Sequence, residues 1–423
     1  MKICLINSLY KPYSRGGAEV VFDNIINGLQ AAGHKVVVIT IKPFQGLFSL
    51  WPDNNRIPLT PFDKGAVSTE VFPELTPIKG GEGDVYRFYP LNIFSFINIS
   101  RHNIFCRLIW HKLDVFNLHS YFVVRNILQK EKPDMVMTHN LKGIGYLVPW
   151  AIKRSKIKWL HTVHDVQLST PGGLIIKDQE NNLEQRIFLK KWYEKICRFL
   201  FDSPDVVISP SKWLMDFYSE KGFFKNSKKL IIPNPVIISL PSKMAESRQQ
   251  QTVNLLYLGQ IEEHKGVPFL VNTFKDFLKY QTQNTKYQLL IAGDGSRLEE
   301  IKKIAADEPR IKILGRVPHE KINEVLSQAD FTIVPSLCYE NSPGVIYESF
   351  SFGVPVIAAK IGGVAELVED GINGFTFEAG DEEDLLRVLK LSIENRGQDL
   401  RQNALNTVKG LEIEEYIAKL LNN

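Results

Sequence analysis

Cysteine is scarce in this chain of 423 residues: there are four, Cys4, Cys106, Cys197 and Cys338, scattered along the sequence. No CxxC and no metal-ligand spacing joins them, which argues against a disulfide framework and a zinc module. They read as free thiols in a reducing cytoplasm. Long apolar runs are missing as well. Nothing nears the roughly 18 uninterrupted apolar residues that span a bilayer. ICLIN, after Lys2, is too short for the core of a secretory signal. Low-complexity tracts and short internal repeats are absent, which excludes fibrous and solenoid architectures.

What is present is a globular composition, 44% hydrophobic and 23% charged, long enough for two cores. The net charge of +4 hides an asymmetry. Residues 1–240 hold 31 Lys and Arg against 20 Asp and Glu, and the remainder holds 20 against 27. A basic half joined to an acidic half suits an anionic partner for the first. Charge alone admits nucleic acid, an acidic membrane or a lipid pyrophosphate, and equally lysines that only solvate helices.

Short β-rich runs alternate with amphipathic stretches, the pattern of parallel α/β sheets covered by helices. KICLIN, KVVVIT, DMVMTH, KWLHTV and DVVISP form a first series, and VNLLYLG, YQLLIAG, IKILG, DFTIVP and PVIAA a second. The expected division is an N-terminal domain over 1–238, a polar linker over 239–252, a C-terminal domain over 253–400 and a helical tail over 401–423. Residues 43–85, rich in Pro, Gly and Asp, look like an excursion from the first sheet. Residues 86–130 mix aromatics with Lys and Arg around one acid, Asp114. That mixture suits an interfacial membrane surface or an acceptor groove, and also a buried helical hairpin.

The richest stretch runs from Glu340 through Asn341, Ser342, Pro343, Gly344 and Val345 to Glu348. A strand, DFTIVPS, leads into a loop bearing one carboxylate. A helix then starts near Gly344 and carries the second. Free N–H groups and the positive dipole end at such a start suit a diphosphate. Glu348 is placed to accept both ribose hydroxyls, and Glu340 would face a transferred sugar. Gly353, Pro355, Gly362, Gly363 and Gly374 follow in what reads as a phosphate-site array.

This stretch resembles the E-x7-E signature of family-four retaining glycosyltransferases, together with the GVPVIA and GG-x-x-E runs after it. The resemblance covers nearly the whole chain. Gly16, Gly17 and Glu19 match the family's glycine-rich loop, and His164-Asp165 its HD pair beside the reacting sugar. Gly293 and Arg316 match turns at the edge of its nucleotide pocket. YLGQIEEHKG resembles the G-R-x-x-x-x-K-G element, with Lys265 in place but Gln260 where the family has arginine. A neutral amide there gives up a charged fork on phosphate, and Arg15 is the candidate to replace it.

The resemblance implies a GT-B fold, two Rossmann-like domains facing across a cleft, with the last helix crossing back to the first domain. It implies retaining, metal-independent transfer of a hexose-type sugar from a UDP-, GDP- or ADP-sugar to a glycan or lipid-linked acceptor in envelope polysaccharide synthesis. His164, Lys265 and Glu340 are the expected catalytic residues. Gly16, Gly17, Gln260, Lys265, Gly293, Arg316, the Asn341–Val345 loop and Glu348 are expected on the donor, and Glu19 and Asp165 beside acceptor or sugar. No cofactor, metal or nucleic-acid partner is expected, since no two aspartates form an Asp-x-Asp. The expected place is the cytoplasm, with peripheral contact to anionic membrane. A GT-B epimerase and a non-catalytic partner of a transferase are the alternatives, Gln260 favouring the second.

Overall fold

The computed structural model describes residues 1–13, 16–42, 78–79, 84–180, 187–236, 252–279, 286–318, 321–395 and 398–422. The expected linker, apart from Thr252, and nearly all of the 43–85 excursion lie outside the described residues, as does Arg15.

Two α/β domains are built on separate sheets. The first comprises β1 (Lys2–Ile6), β2 (Lys35–Ile41), β3 (Ile78–Lys79), β4 (Asp84–Phe88), β5 (Met135–Thr138), β6 (Lys158–Thr162), β7 (Val206–Ser209) and β8 (Lys228–Ile231). Their spatial order is β3-β4-β2-β1-β5-β6-β7-β8, parallel throughout except for the β3–β4 edge pair. The second comprises β9 (Thr252–Leu258), β10 (Lys286–Ala292), β11 (Ile311–Gly315), β12 (Phe331–Val334), β13 (Val356–Ala359) and β14 (Gly374–Phe377). Its order is β11-β10-β9-β12-β13-β14, parallel throughout. The central strands are near-continuous apolar runs because helices cover both faces. Ile3, Cys4, Leu5 and Ile6 are all fully buried. Leu5 pairs with Val38 on one side and Met137 on the other. The strand order switches direction beside β1 in the first sheet and beside β9 in the second, and ligands of open α/β sheets bind at the carboxyl ends of such strands.

Every strand expected from the sequence is present. Those unforeseen are β3, β4, β8 and β14. β8 reads KKLI and is largely exposed on an edge. β14 opens on Gly374, where a Cβ would meet the Val356 carbonyl at 2.0 Å. β4 reads DVYRF and pairs with β2, so residues 84–88 are sheet.

Residues 104–131 do form a helical hairpin, Ile104–Val115 and Leu118–Glu131. The aromatics of residues 86–130 divide: Phe94 and Trp110 are buried, whereas Phe105, Phe116 and Phe122 are exposed. At the other end of the chain, helix Gln398–Thr407 stays on the second domain against helix Gly344–Ser351. Only after it does the chain cross. Helix Ile413–Leu421 then packs on helix Gly17–Ala31, with Ile413 and Ile417 over Gly28.

Candidate functional site

A cleft of about 1020 Å³ opens between the carboxyl ends of the two sheets. Most of the expected site residues meet on its walls. Gly16 and Gly17 come from the start of the first helix, His164 from the end of β6, and Gln260 and Lys265 from the loop after β9. Gly293 and Arg316 follow β10 and β11, and Glu340 to Val345 with Glu348 follow β12.

The loop after β12 is shaped from behind. Gly363 donates to the Glu340 carbonyl at 2.8 Å. A Cβ on Gly362 would meet that carbonyl at 2.2 Å, and one on Gly363 the Asn341 carbonyl at 2.0 Å; Gly362 also sits at φ +63°. The glycine pair therefore supports the carboxylate loop by close backbone packing. This corrects the reading of Gly353, Pro355, Gly362, Gly363 and Gly374 as a phosphate array, for none of them lines the cleft. Helix Gly344–Ser351 begins directly after the loop. Its cap residue Pro343 supplies no side-chain acceptor, so the amides of its first turn keep donors for an anion. Glu348 lies one turn further along, half-buried on the same wall.

Lys265 ends a short 3-10 turn, Glu263–Lys265. Its ammonium donates to Glu340 Oε1 at 2.5 Å, and Ser336 Oγ donates to the same oxygen at 2.9 Å. Burial by itself would lower the Lys265 pKa, but the Glu340 charge outweighs it and the net direction is up. Burial likewise pushes Glu340 up, and Lys265 outweighs it to hold the carboxyl below its usual range. Both groups stay charged at neutral pH. Gln260 sits on the same loop, its carbonyl taking the Tyr257 hydroxyl at 2.5 Å. Among the described residues, the Lys and Arg side chains lining the cleft are Lys265 and Arg316. Apolar Val317, Ile322, Leu326 and Phe352 also form its walls.

His164 is one of three histidines packed together. Its Nε2 lies 2.8 Å from His139 Nδ1, the rings stacked at 5.1 Å, while His161 Nδ1 lies 2.8 Å from Thr138 Oγ1. Burial depresses all three, His164 to about 4 and His161 to about 3. A group with its pKa at about 4 is neutral from pH 5.5 upward. The turnover profile should therefore show no ascending limb near the ordinary histidine pKa, about 6.5. Rates measured across that range for wild type and His164→Asn should differ in height and not in shape. A limb near 6.5 lost in the variant would show a titrating His164.

Two expected residues fall elsewhere. Glu19 turns back to accept the Gly16 N–H at 2.8 Å, closing the first turn of its helix. Asp165 lies behind the cleft wall, its carboxylate taking the Gln167 N–H at 2.8 Å and side-chain amide at 2.5 Å. Burial raises it to about 6. Neither lines the cleft, where the acidic side chains among the described residues are Asp294, Glu340 and Glu348.

Several contacts that shape the site join residues far apart along the chain. Asn341 donates to the His164 carbonyl at 2.9 Å and accepts from Ser211 Oγ at 2.5 Å. Glu366 takes the N–H groups of Lys212 and Trp213, at 2.8 and 2.6 Å, at the start of helix Lys212–Glu220. Trp213 stacks on Tyr339 with ring centroids 5.7 Å apart. His139 and Asn234 belong with this group. Nothing in the sequence marks these pairings, since each joins groups separated along the chain.

Comparison with known proteins places this geometry. The glycosyl transferase 4-like domain model matches residues 16–235, and the glycosyl transferases group 1 model matches residues 252–395. An uncharacterized 42.6 kDa protein from the cps region of Klebsiella pneumoniae is 26% identical over 367 residues, 87% of each chain. The lipopolysaccharide 1,2-N-acetylglucosaminetransferase of Salmonella typhimurium is 30% identical over 192 residues, 41% of this chain and 49% of that one. Among solved structures, sucrose-phosphate synthase from Thermosynechococcus elongatus superposes with a TM-score of 0.69 at 19% identity, covering 100% of this chain and 98% of that one. Anabaena HepE with UDP-glucose gives 0.60 at 19%, covering 100% and 99%.

Proposed function

The chain belongs to the group 1 glycosyl transferases, with a glycosyl transferase 4-like first domain and a GT-B fold, and on that premise we propose that it transfers a hexose-type sugar from a nucleotide diphosphate sugar to a glycan or lipid-linked acceptor, with retention and without a metal. One observation carries this reading: Lys265, Glu340, the helix start at Gly344 and Glu348 converge on one cleft between the two sheets. The donor diphosphate would lie on the helix start and Lys265, its ribose on Glu348 and its base among Arg316, Val317 and Leu326. The UDP and UDP-glucose complexes of HepE put uridine first among the donors to try.

In this reading the bond from C1 to the diphosphate oxygen breaks as the acceptor oxygen bonds C1 on the same face. The acceptor proton passes to the departing phosphate oxygen. Lys265 and the helix dipole stabilise the charge that develops there. Glu340 is already bound to Lys265, so its role is to orient sugar and lysine together. Neutral His164 holds a sugar hydroxyl. The relatives in capsule and lipopolysaccharide contexts support a role in envelope polysaccharide synthesis.

The test is a thermal-shift screen of UDP-, GDP- and ADP-sugars, followed by transfer assays with the stabilising donor in excess EDTA. Stabilisation by one donor, turnover undiminished by EDTA and an α-linked product from an α-linked donor are expected. Inversion at C1 would overturn retention, and loss of activity restored by Mg²⁺ or Mn²⁺ would overturn metal independence. Release of an epimerised donor without acceptor would mark an epimerase.

The neutral residue at 260 gives a further expectation. Gln260→Arg should raise turnover about two- to tenfold, since a guanidinium on the leaving diphosphate adds one charged hydrogen bond. A rate unchanged or lowered would mean that another cation already fills this role.

A further inference from the structure

Helix Ile104–Val115 is amphipathic with its apolar stripe facing outward. Residues 104, 105, 108, 109, 113 and 116 recur at helical spacing, and all are apolar and exposed. Phe105 is 74% exposed and Ile109 55%, and the following helix adds Leu118 at 63% and Phe122 at 53%. The stripe facing inward instead holds Trp110 and Asp114. Scattered apolar side chains are ordinary on a surface, whereas a contiguous face of this kind marks a site of contact.

The charges around this face are of one sign. Arg101, Lys112 and Arg125 are exposed, and Arg107 is half-buried. The acids of residues 86–131, Asp114 and Glu131, are both buried. Helix Leu118–Glu131 packs on helix Val148–Ser155, which packs on helix Ile187–Phe201. There Trp192 and Phe199 are exposed beside exposed Lys191 and Lys195, and Phe199 meets Trp150 edge-on at 5.4 Å. Residues 86–131 carry no exposed acid, so a two-fold dimer through the hairpin would bring like charges together with none of these acids to meet them. An anionic lipid surface answers both properties at once. No described helix is long and apolar enough to cross a membrane, so the contact would be interfacial.

We propose that the outward face of the 104–122 hairpin inserts into an anionic bilayer surface and presents the cleft to an acceptor held in that membrane. The hairpin meets the cleft at one point and is anchored to the first sheet at another. Ile97, in the turn Phe96–Arg101 that leads into it, lines the cleft. The Asp114 carboxylate accepts the Gly143 N–H at 3.0 Å, and its carbonyl accepts from Tyr146, fixing the helix to the loop after β5. This inference rests on the lipid-linked acceptor of the proposed function, and it is tested apart from catalysis.

The full chain is sedimented with vesicles of phosphatidylcholine alone or with roughly one-third phosphatidylglycerol, at low and high salt. Binding to the anionic vesicles should exceed that to phosphatidylcholine at least about tenfold at low salt and fall as screening rises. The variant Phe105→Ser with Leu108→Ser and Ile109→Ser should lose binding, as should Arg101→Glu with Lys112→Glu and Arg125→Glu. Both should keep the nucleotide thermal shift of the wild type. Wild type left in the supernatant, or undiminished binding by the serine variant, would overturn the proposal. So would a dimer in gel filtration that the serine variant dissolves, since the face would then belong to a second copy. Vesicle binding without any nucleotide shift would leave the membrane contact standing and remove the transfer reading together with the acceptor this contact is proposed to serve.

Discussion

Lys265→Ala should lower turnover by about 10²- to 10³-fold, on the order of 3–4 kcal/mol of transition-state stabilisation, because in the proposed reaction the leaving diphosphate gains charge where this ammonium sits. Lys265 donates to Glu340 Oε1 at 2.5 Å, which keeps it protonated and aimed into the cleft. The same pair complicates the experiment. Removing the lysine leaves Glu340 buried without its counter-ion, which costs several kcal/mol in a dry site and less here, where the side chains stay 27% and 16% exposed. Lys265→Met combined with Glu340→Gln removes both charges and should recover most of the melting temperature without recovering turnover. Normal transfer by a folded Lys265→Ala protein would show that this loop does not meet the diphosphate.

Glu348→Ala should act on binding itself. If its carboxylate accepts both ribose hydroxyls, the contact exists in donor and free nucleotide alike. Its loss should then weaken nucleoside diphosphate affinity by about 10- to 100-fold, the worth of one or two hydrogen bonds to a charged group. Calorimetric titration of wild type, Glu348→Ala and Glu348→Gln with nucleoside diphosphate measures this directly. Glu340→Gln provides the contrast. With the sugar as its proposed partner, turnover should fall with nucleotide affinity nearly intact. Unchanged affinity in Glu348→Ala would move the ribose to another wall of the cleft.

Much of this site was legible because its chemistry is local. Glu340 and Glu348 are eight residues apart across one strand-to-helix turn, so their spacing alone sets a loop carboxylate and a helix carboxylate on one wall. Lys265 was legible for the same reason, through its short turn after β9. Asp165 shows the limit. The sequence places it one residue after His164, yet Gln167, two residues further on, draws its carboxylate behind the wall. Glu19 was drawn back in the same way by the Gly16 amide. Short polar side chains next to free backbone donors satisfy themselves locally, and nothing in the order of residues says which will do so.

The sequence by itself determined the two parallel sheets, the two series of apolar strands that build them and the loops on which the site residues sit. Periodicity and strand-to-helix turns are properties of short segments, and they survive whatever the rest of the chain does. Only the tertiary structure decided which distant groups meet. It set Lys265 on Glu340, Asn341 on the His164 carbonyl and Glu366 on the start of helix Lys212–Glu220. It also decided that Gly362 and Gly363 press on the Glu340 loop. In the 104–131 hairpin it buried Trp110 and left Phe105 in solvent. Burial depends on which neighbour packs against a face, and an amphipathic stripe looks the same in sequence whether it turns in or out.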